Sequence, residues 1–175
     1  MFSNQRQELT DIFLYYDSSK LSLYYYRKGI EESKVIDNNY IGYTRKELIA
    51  SFQNHLVELE KNICLNMLSA IEASFRVDYQ IRVKGKYKDN TSKKFREIYK
   101  LKEYKASLEQ DILNTWKQEN QNFKSIISEY IGALKYRHWL AHGRYWTPKL
   151  GRNYDIATIT LIANRIYANI PLKSA

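Results

Sequence analysis

Two histidines, two arginines and two tryptophans fall within eleven residues, in the segment Tyr136-Arg137-His138-Trp139-Leu140-Ala141-His142-Gly143-Arg144-Tyr145-Trp146. Imidazole, whose ordinary pKa of about 6.5 lies near neutrality, can take a proton from a hydroxyl or hand one to a departing oxygen. Guanidinium is always charged and fork-shaped, so it binds a phosphate and stabilises the charge that builds up in a transition state. Together they are the equipment for cutting RNA through its own 2′-OH, leaving a 2′,3′-cyclic phosphate and a 5′-hydroxyl. DNA lacks that hydroxyl and is not a substrate for this route. On this chemistry Arg137 and His142 are the leading catalytic candidates. His138 is either a third catalytic or RNA-contacting group or an orienting neighbour of Arg137.

Helical geometry restricts how these groups meet. His138 and His142 are four residues apart and share a face with Leu134. Arg137 and His142 are five apart, roughly 140° around an ideal helix. They converge only if the helix yields around Ala141-His142, a break that Gly143 offers. Beyond it, Arg144, Lys149 and Arg152 suit phosphate contacts, and Tyr145 with Trp146 suits either base stacking or the core. The histidine pair also has metal-ligand spacing, but no Glu lies in the segment and Cys64 is the one cysteine. No metal and no cofactor is therefore assigned. The bland partner for Arg137 is an acid of the long helix, Glu72 or Asp78; His55 and Cys64 read as structural.

The elements that must position the segment read as helices throughout. An aromatic-rich stretch from about Asn4 to Glu32 has near-helical spacing, although Tyr24-Tyr25-Tyr26 also suits a strand; Asp37-Asn38-Asn39 marks a loop. Thr44 with Glu47 forms a capping box, and Leu48, Phe52, Leu56, Leu59, Ile63, Met67, Ile71 and Phe75 then recur at helical spacing until near Gly85. Thr91 or Ser92 can cap a further helix, and Ser107 to Gln110 forms a second capping box ahead of Ile112 and Trp116. A helix from about Asn120 runs directly into the motif, and Asp155 caps a last one. With 6 Gly and 2 Pro in 175 residues, a many-stranded sandwich or barrel is excluded. The expectation is an all-α chain, a single domain over residues 1–175 built as an antiparallel helical bundle.

Charge adds a partner. The net charge is +9, and it is concentrated: ten basic residues stand against three acids from Arg82 to Lys105, and five stand against none from Lys135 to Arg152. Such segments form either a phosphate-binding surface or a solvated helix face, and the second contains the motif. No stretch approaches the ~20 apolar residues of a membrane span, and the N-terminus lacks a signal-peptide layout. A cytoplasmic protein is expected.

The Arg-x4-His spacing of Arg137 and His142, with polar His138 after the Arg and Ala-His-Gly following, resembles the HEPN family. The resemblance covers about Tyr43 to Pro171 and leaves the first forty residues as an N-terminal elaboration. It implies a HEPN-like bundle and a metal-independent endoribonuclease. It also implies a homodimer whose two Arg/His sets share a composite active site, and a toxin or anti-phage role with an antitoxin or defence-system partner. The alternative is a non-catalytic HEPN-like dimer that binds RNA, a nucleotide or a partner protein. One departure stands out. The family's toxins silenced by nucleotidyltransferases carry a Tyr two residues after the His, where this chain has Arg144, and Tyr145 comes one later.

Overall fold

The computed structural model describes residues 6–174, and among them there are helices and no strand. Six α-helices follow in order: α1 Leu9–Glu31, α2 Arg45–Lys84, α3 Asn90–Lys102, α4 Asn114–Glu119, α5 Lys124–Ala141 and α6 Ile156–Asn169. A π-helical turn, Leu108–Leu113, leads into α4. The Tyr24-Tyr25-Tyr26 run is helical.

The spine is α2, 40 residues long and so about 60 Å from end to end. Its start is the expected capping box: Thr44 Oγ1 accepts from Glu47 N at 3.3 Å, and Glu47 Oε2 accepts from Thr44 N at 2.8 Å. Every other element leans on this helix. α1 runs antiparallel to it, with Tyr26 against Phe52 and Tyr16 bonded to Glu60. α3 and α5 are antiparallel to it as well, through Tyr79–Phe95 and through Tyr130–Leu68. α6 runs antiparallel to α5, with Tyr154 stacked on Tyr136 and Arg165 paired with Glu129, and is therefore parallel to α2, as that alternation requires. Its Thr160 meets Met67 and its Tyr167 meets Ser74, so α2 and α6 advance in the same direction. The long connection between α5 and α6 makes that return.

Two start signals differ from expectation. α3 is capped by Asp89, whose carboxylate accepts from Ser92 N at 2.9 Å, rather than by Thr91 or Ser92, both of which are buried. Asp89 is held there by Arg82 Nη1 at 3.1 Å. Ser107 does cap the next helix, but the carboxylate that reaches back to its N–H is Asp111, at 2.7 Å. The π-helical turn is one residue wider than an α-turn, and Ile112 N bonds Ser107 O five residues back. The reciprocal partner therefore moves on by one position.

The core joins Ile63, Met67, Leu68, Ile71 and Phe75 of α2 to Phe95, Trp116, Ile127, Tyr130, Ile159 and Ile166, all essentially inaccessible. Ile12 of α1 belongs to it, as does Cys64, whose thiol burial pushes up to about 12. Below this core lies a buried ion pair. Asp78 accepts from Arg82 Nε at 2.7 Å, from Trp116 Nε1 at 3.1 Å and from Lys173 N at 2.8 Å. Arg82 also donates to Ser92 Oγ and to the Pro171 carbonyl. Three donors around Asp78 and four acceptors around Arg82, Asp89 among them, offset the cost of removing the pair from water. Arg82, part of the first basic segment, is thus structural, and Asp78 is no partner of Arg137.

Candidate functional site

α5 carries the motif, and its last turn is shaped by a chain reversal. The helix ends at Ala141 with His142 as its cap residue, and Gly143 and Arg144 follow at φ +77° and +58°. His142 N bonds His138 O at 3.1 Å and Arg144 N bonds Trp139 O at 3.2 Å, the six-to-one closure typical of a glycine-ended helix. The break falls where Gly143 foretells it, so the motif is a helix end.

An aromatic stack holds the chain that leaves this end. Trp139, Tyr136 and Tyr154 lie in near-parallel layers at 5.8 and 5.6 Å, and Arg152 covers Tyr154 at 5.4 Å. Gly132 makes room for Tyr154, because a Cβ there would sit 2.7 Å from its hydroxyl. Trp139 Nε1 donates to the Trp146 carbonyl at 2.7 Å. The returning segment is thereby fastened to α5 along its length.

A cleft of about 840 Å³ opens between this segment, α2 and the turn after α3. Arg137, His138, Trp146 and Lys149 line one side. Arg76 and Glu72 of α2 lie between, and Tyr104, Lys105 and Ser107 form the opposite lip. The two basic segments of the sequence therefore meet here, through Lys105 of one and Lys135, Arg137 and Lys149 of the other. Glu72 organises the floor: its Oε1 accepts from Arg76 Nε at 2.8 Å and its Oε2 lies 3.3 Å from Arg137 Nη2. Arg137 Nε is shut away from solvent with no hydrogen-bond partner among the described residues.

The histidines sit at the cleft's edge. Their rings are 4.2 Å apart, and His138 lies 5.8 Å from the Trp146 ring. His142 is exposed on the far side of His138 and does not line the cleft. Of the other candidates, Lys149 is in the cleft. Arg144 turns away to Glu58 of α2 at 2.7 Å, Arg152 lies on Tyr154, and Tyr145 is 85% exposed against the edge of Trp146. His55 is exposed beside Phe52, on the α1–α2 hairpin.

Of the other lining residues, Lys105 belongs to the first basic segment, and Tyr104 is the one that the sequence does not single out. Arg76 was visible as a polar break in the apolar stripe of α2, beside Glu72, whereas nothing local marks Tyr104. Among the described residues no group of three or more His, Cys, Asp or Glu side chains is placed to hold a metal, and no helix is long and apolar enough to cross a membrane. Compared with known proteins, the chain matches no family model, no curated protein and no solved structure.

Proposed function

We propose that the protein is a metal-independent endoribonuclease of the HEPN kind, cutting single-stranded RNA by attack of the 2′-OH. The observation that carries this reading is one cation-rich cleft holding Arg137 and His138, with His142 in ring contact at its edge. Arg137 takes the scissile phosphate. It is aimed by Glu72 on one side, and its side chain is still one-third exposed (34%) toward the cleft. His142 is the proton-transfer group, exposed where a ribose can reach it, and His138 sits between the two. Arginine stabilises the extra charge of the transition state while imidazole moves the proton. A second copy of the chain completes the site by bringing a second His142 to the same phosphate, one imidazole acting as base and the other as acid. A toxin or anti-phage role fits an enzyme that destroys RNA without needing a metal.

The test is cleavage of a labelled single-stranded RNA in EDTA by wild type, Arg137→Ala and His142→Ala. Wild type should give cyclic-phosphate ends, and both variants should fall by two orders of magnitude or more. A metal requirement, or variants equal to wild type, sinks the reading. One observation favours the alternative, a non-catalytic RNA-binding module: His142 stands outside the cleft that Arg137 lines. In that case RNA binds in a salt-sensitive way and is released intact.

A further inference from the structure

We infer that the lip opposite the motif, formed by Tyr104 and Lys105 with Arg76 behind them, is a subsite for a nucleotide flanking the scissile bond of single-stranded RNA. The base stacks on Tyr104, and the adjoining phosphate is taken by Lys105 and Arg76. This rests on the RNA reading of the cleft and adds to it a place for the strand that the motif alone does not provide.

Four features of the lip point this way. Tyr104 is 60% exposed although it borders a cleft, and its ring packs at a right angle to that of Tyr99 at 5.5 Å, which holds it in place while leaving much of it accessible. The turn that presents it is held under strain: Glu103 has φ +49°, a conformation costing a non-glycine residue on the order of 1 kcal/mol or more. That strain is sustained by specific bonds. Tyr79 donates to the Glu103 carbonyl at 3.1 Å, while Lys102 and Ser107 N both bind Asp111. A turn with no task has no need of so much fastening.

The third feature is charge. Arg76, Lys105, Lys135, Arg137 and Lys149 all border the cleft, and of its two acids Glu72 is already shared by two guanidinium groups. The surplus positive charge suits more than one phosphate. The fourth is the placement of aromatic rings, Tyr104 on one lip and Trp146 on the other, with the cations between them. Stacking platforms alternating with cations are how proteins hold a single strand, because every base has a face to stack while a duplex keeps its faces hidden.

The test uses the full chain and a 2′-O-methylated single-stranded oligoribonucleotide, which cannot be cleaved by 2′-OH attack, followed by fluorescence anisotropy at fixed salt. Tyr104→Ala should weaken binding about 5- to 100-fold, Tyr104→Phe should bind within about twofold of wild type, and Lys105→Gln should lose several-fold. Lys93→Gln, outside the cleft, is the control and should be unchanged. The corresponding duplex should not distinguish Tyr104→Ala from wild type. The subsite is overturned if wild type does not bind the single strand, if Tyr104→Ala binds it like wild type, if Tyr104→Phe loses as much as Tyr104→Ala, or if the duplex shows the same loss. The catalytic proposal fails separately. Tyr104-dependent binding without any cleavage of ordinary RNA keeps the subsite and removes the nuclease, and cleavage with Tyr104-independent binding does the reverse.

Discussion

Glu72 on α2 and Arg137 on α5 are joined by an ion pair of 3.3 Å, and the same carboxylate holds Arg76 at 2.8 Å. One acid on the spine thus sets the position of both arginines. Glu72→Gln should raise RNA affinity, because the cleft loses a negative charge. It should also lower kcat roughly tenfold or more, because the guanidinium is no longer aimed. Steady-state kinetics on a labelled RNA separates the two effects; kcat and KM both unchanged would show that Glu72 only neutralises charge.

The two histidines differ in kind. His142→Ala should cost about 10²- to 10⁴-fold in cleavage while leaving the affinity for uncleavable RNA within twofold. His138→Ala, inside the cleft, should weaken that affinity as well. Matching losses for the two variants in both assays would contradict this division.

The Asp78–Arg82 pair makes a prediction about stability alone. Asp78→Ala strands a buried guanidinium, and Arg82→Ala strands a buried carboxylate. Each should cost about 3–5 kcal/mol, read as a lower midpoint in urea unfolding. Replacing both together with apolar residues of similar size should recover most of that loss. If the single variants unfold like wild type, the pair is not the clamp described.

Acid sensitivity follows from the cap of α6. Hydrogen bonds from the Thr158 hydroxyl and N–H hold the Asp155 carboxyl below its ordinary value. The folded pKa is depressed, so the stabilisation is present above the unfolded value of about 3.9. It is lost as pH falls through the lower, folded value. Asn caps equally well without a charge. Asp155→Asn should therefore match wild type in Tm at pH 7 and lose less of it on descent to pH 3, as followed by circular dichroism.

Local signals in the sequence proved the easiest to read. The Thr44–Glu47 box lies within one turn and needs no help from elsewhere, and the apolar stripe of α2 repeats on one face. The end of α5 was legible because Gly143 follows directly on the motif. Signals that depend on remote partners were not. Asp89 outcompetes Thr91 and Ser92 as a cap because Arg82 reaches across from α2. The wide turn at Leu108–Leu113 depends on Asp111 being drawn to Lys102. The choice between Glu72 and Asp78 as a partner for Arg137 is a matter of depth: Asp78 lies beneath Trp116, out of reach of α5. The far lip was hidden for the same reason. Tyr104 is more than thirty residues from Arg137 in the chain, and only the fold sets them around one cleft.

The clamp at Asp78 also imposes an order on synthesis. The carboxylate and its arginine are made early, four residues apart on the spine, yet two of the groups that satisfy them are the Pro171 carbonyl and the Lys173 amide, the latter 95 positions downstream of Asp78. Until residues 171–173 are in place the pair lacks two of its protein partners, and water has to stand in for them. Tyr79, next to Asp78 on the spine, holds the far lip through the Glu103 carbonyl, so the clamp and the lip hang from a single turn of α2 and a loosened clamp should be felt at the cleft.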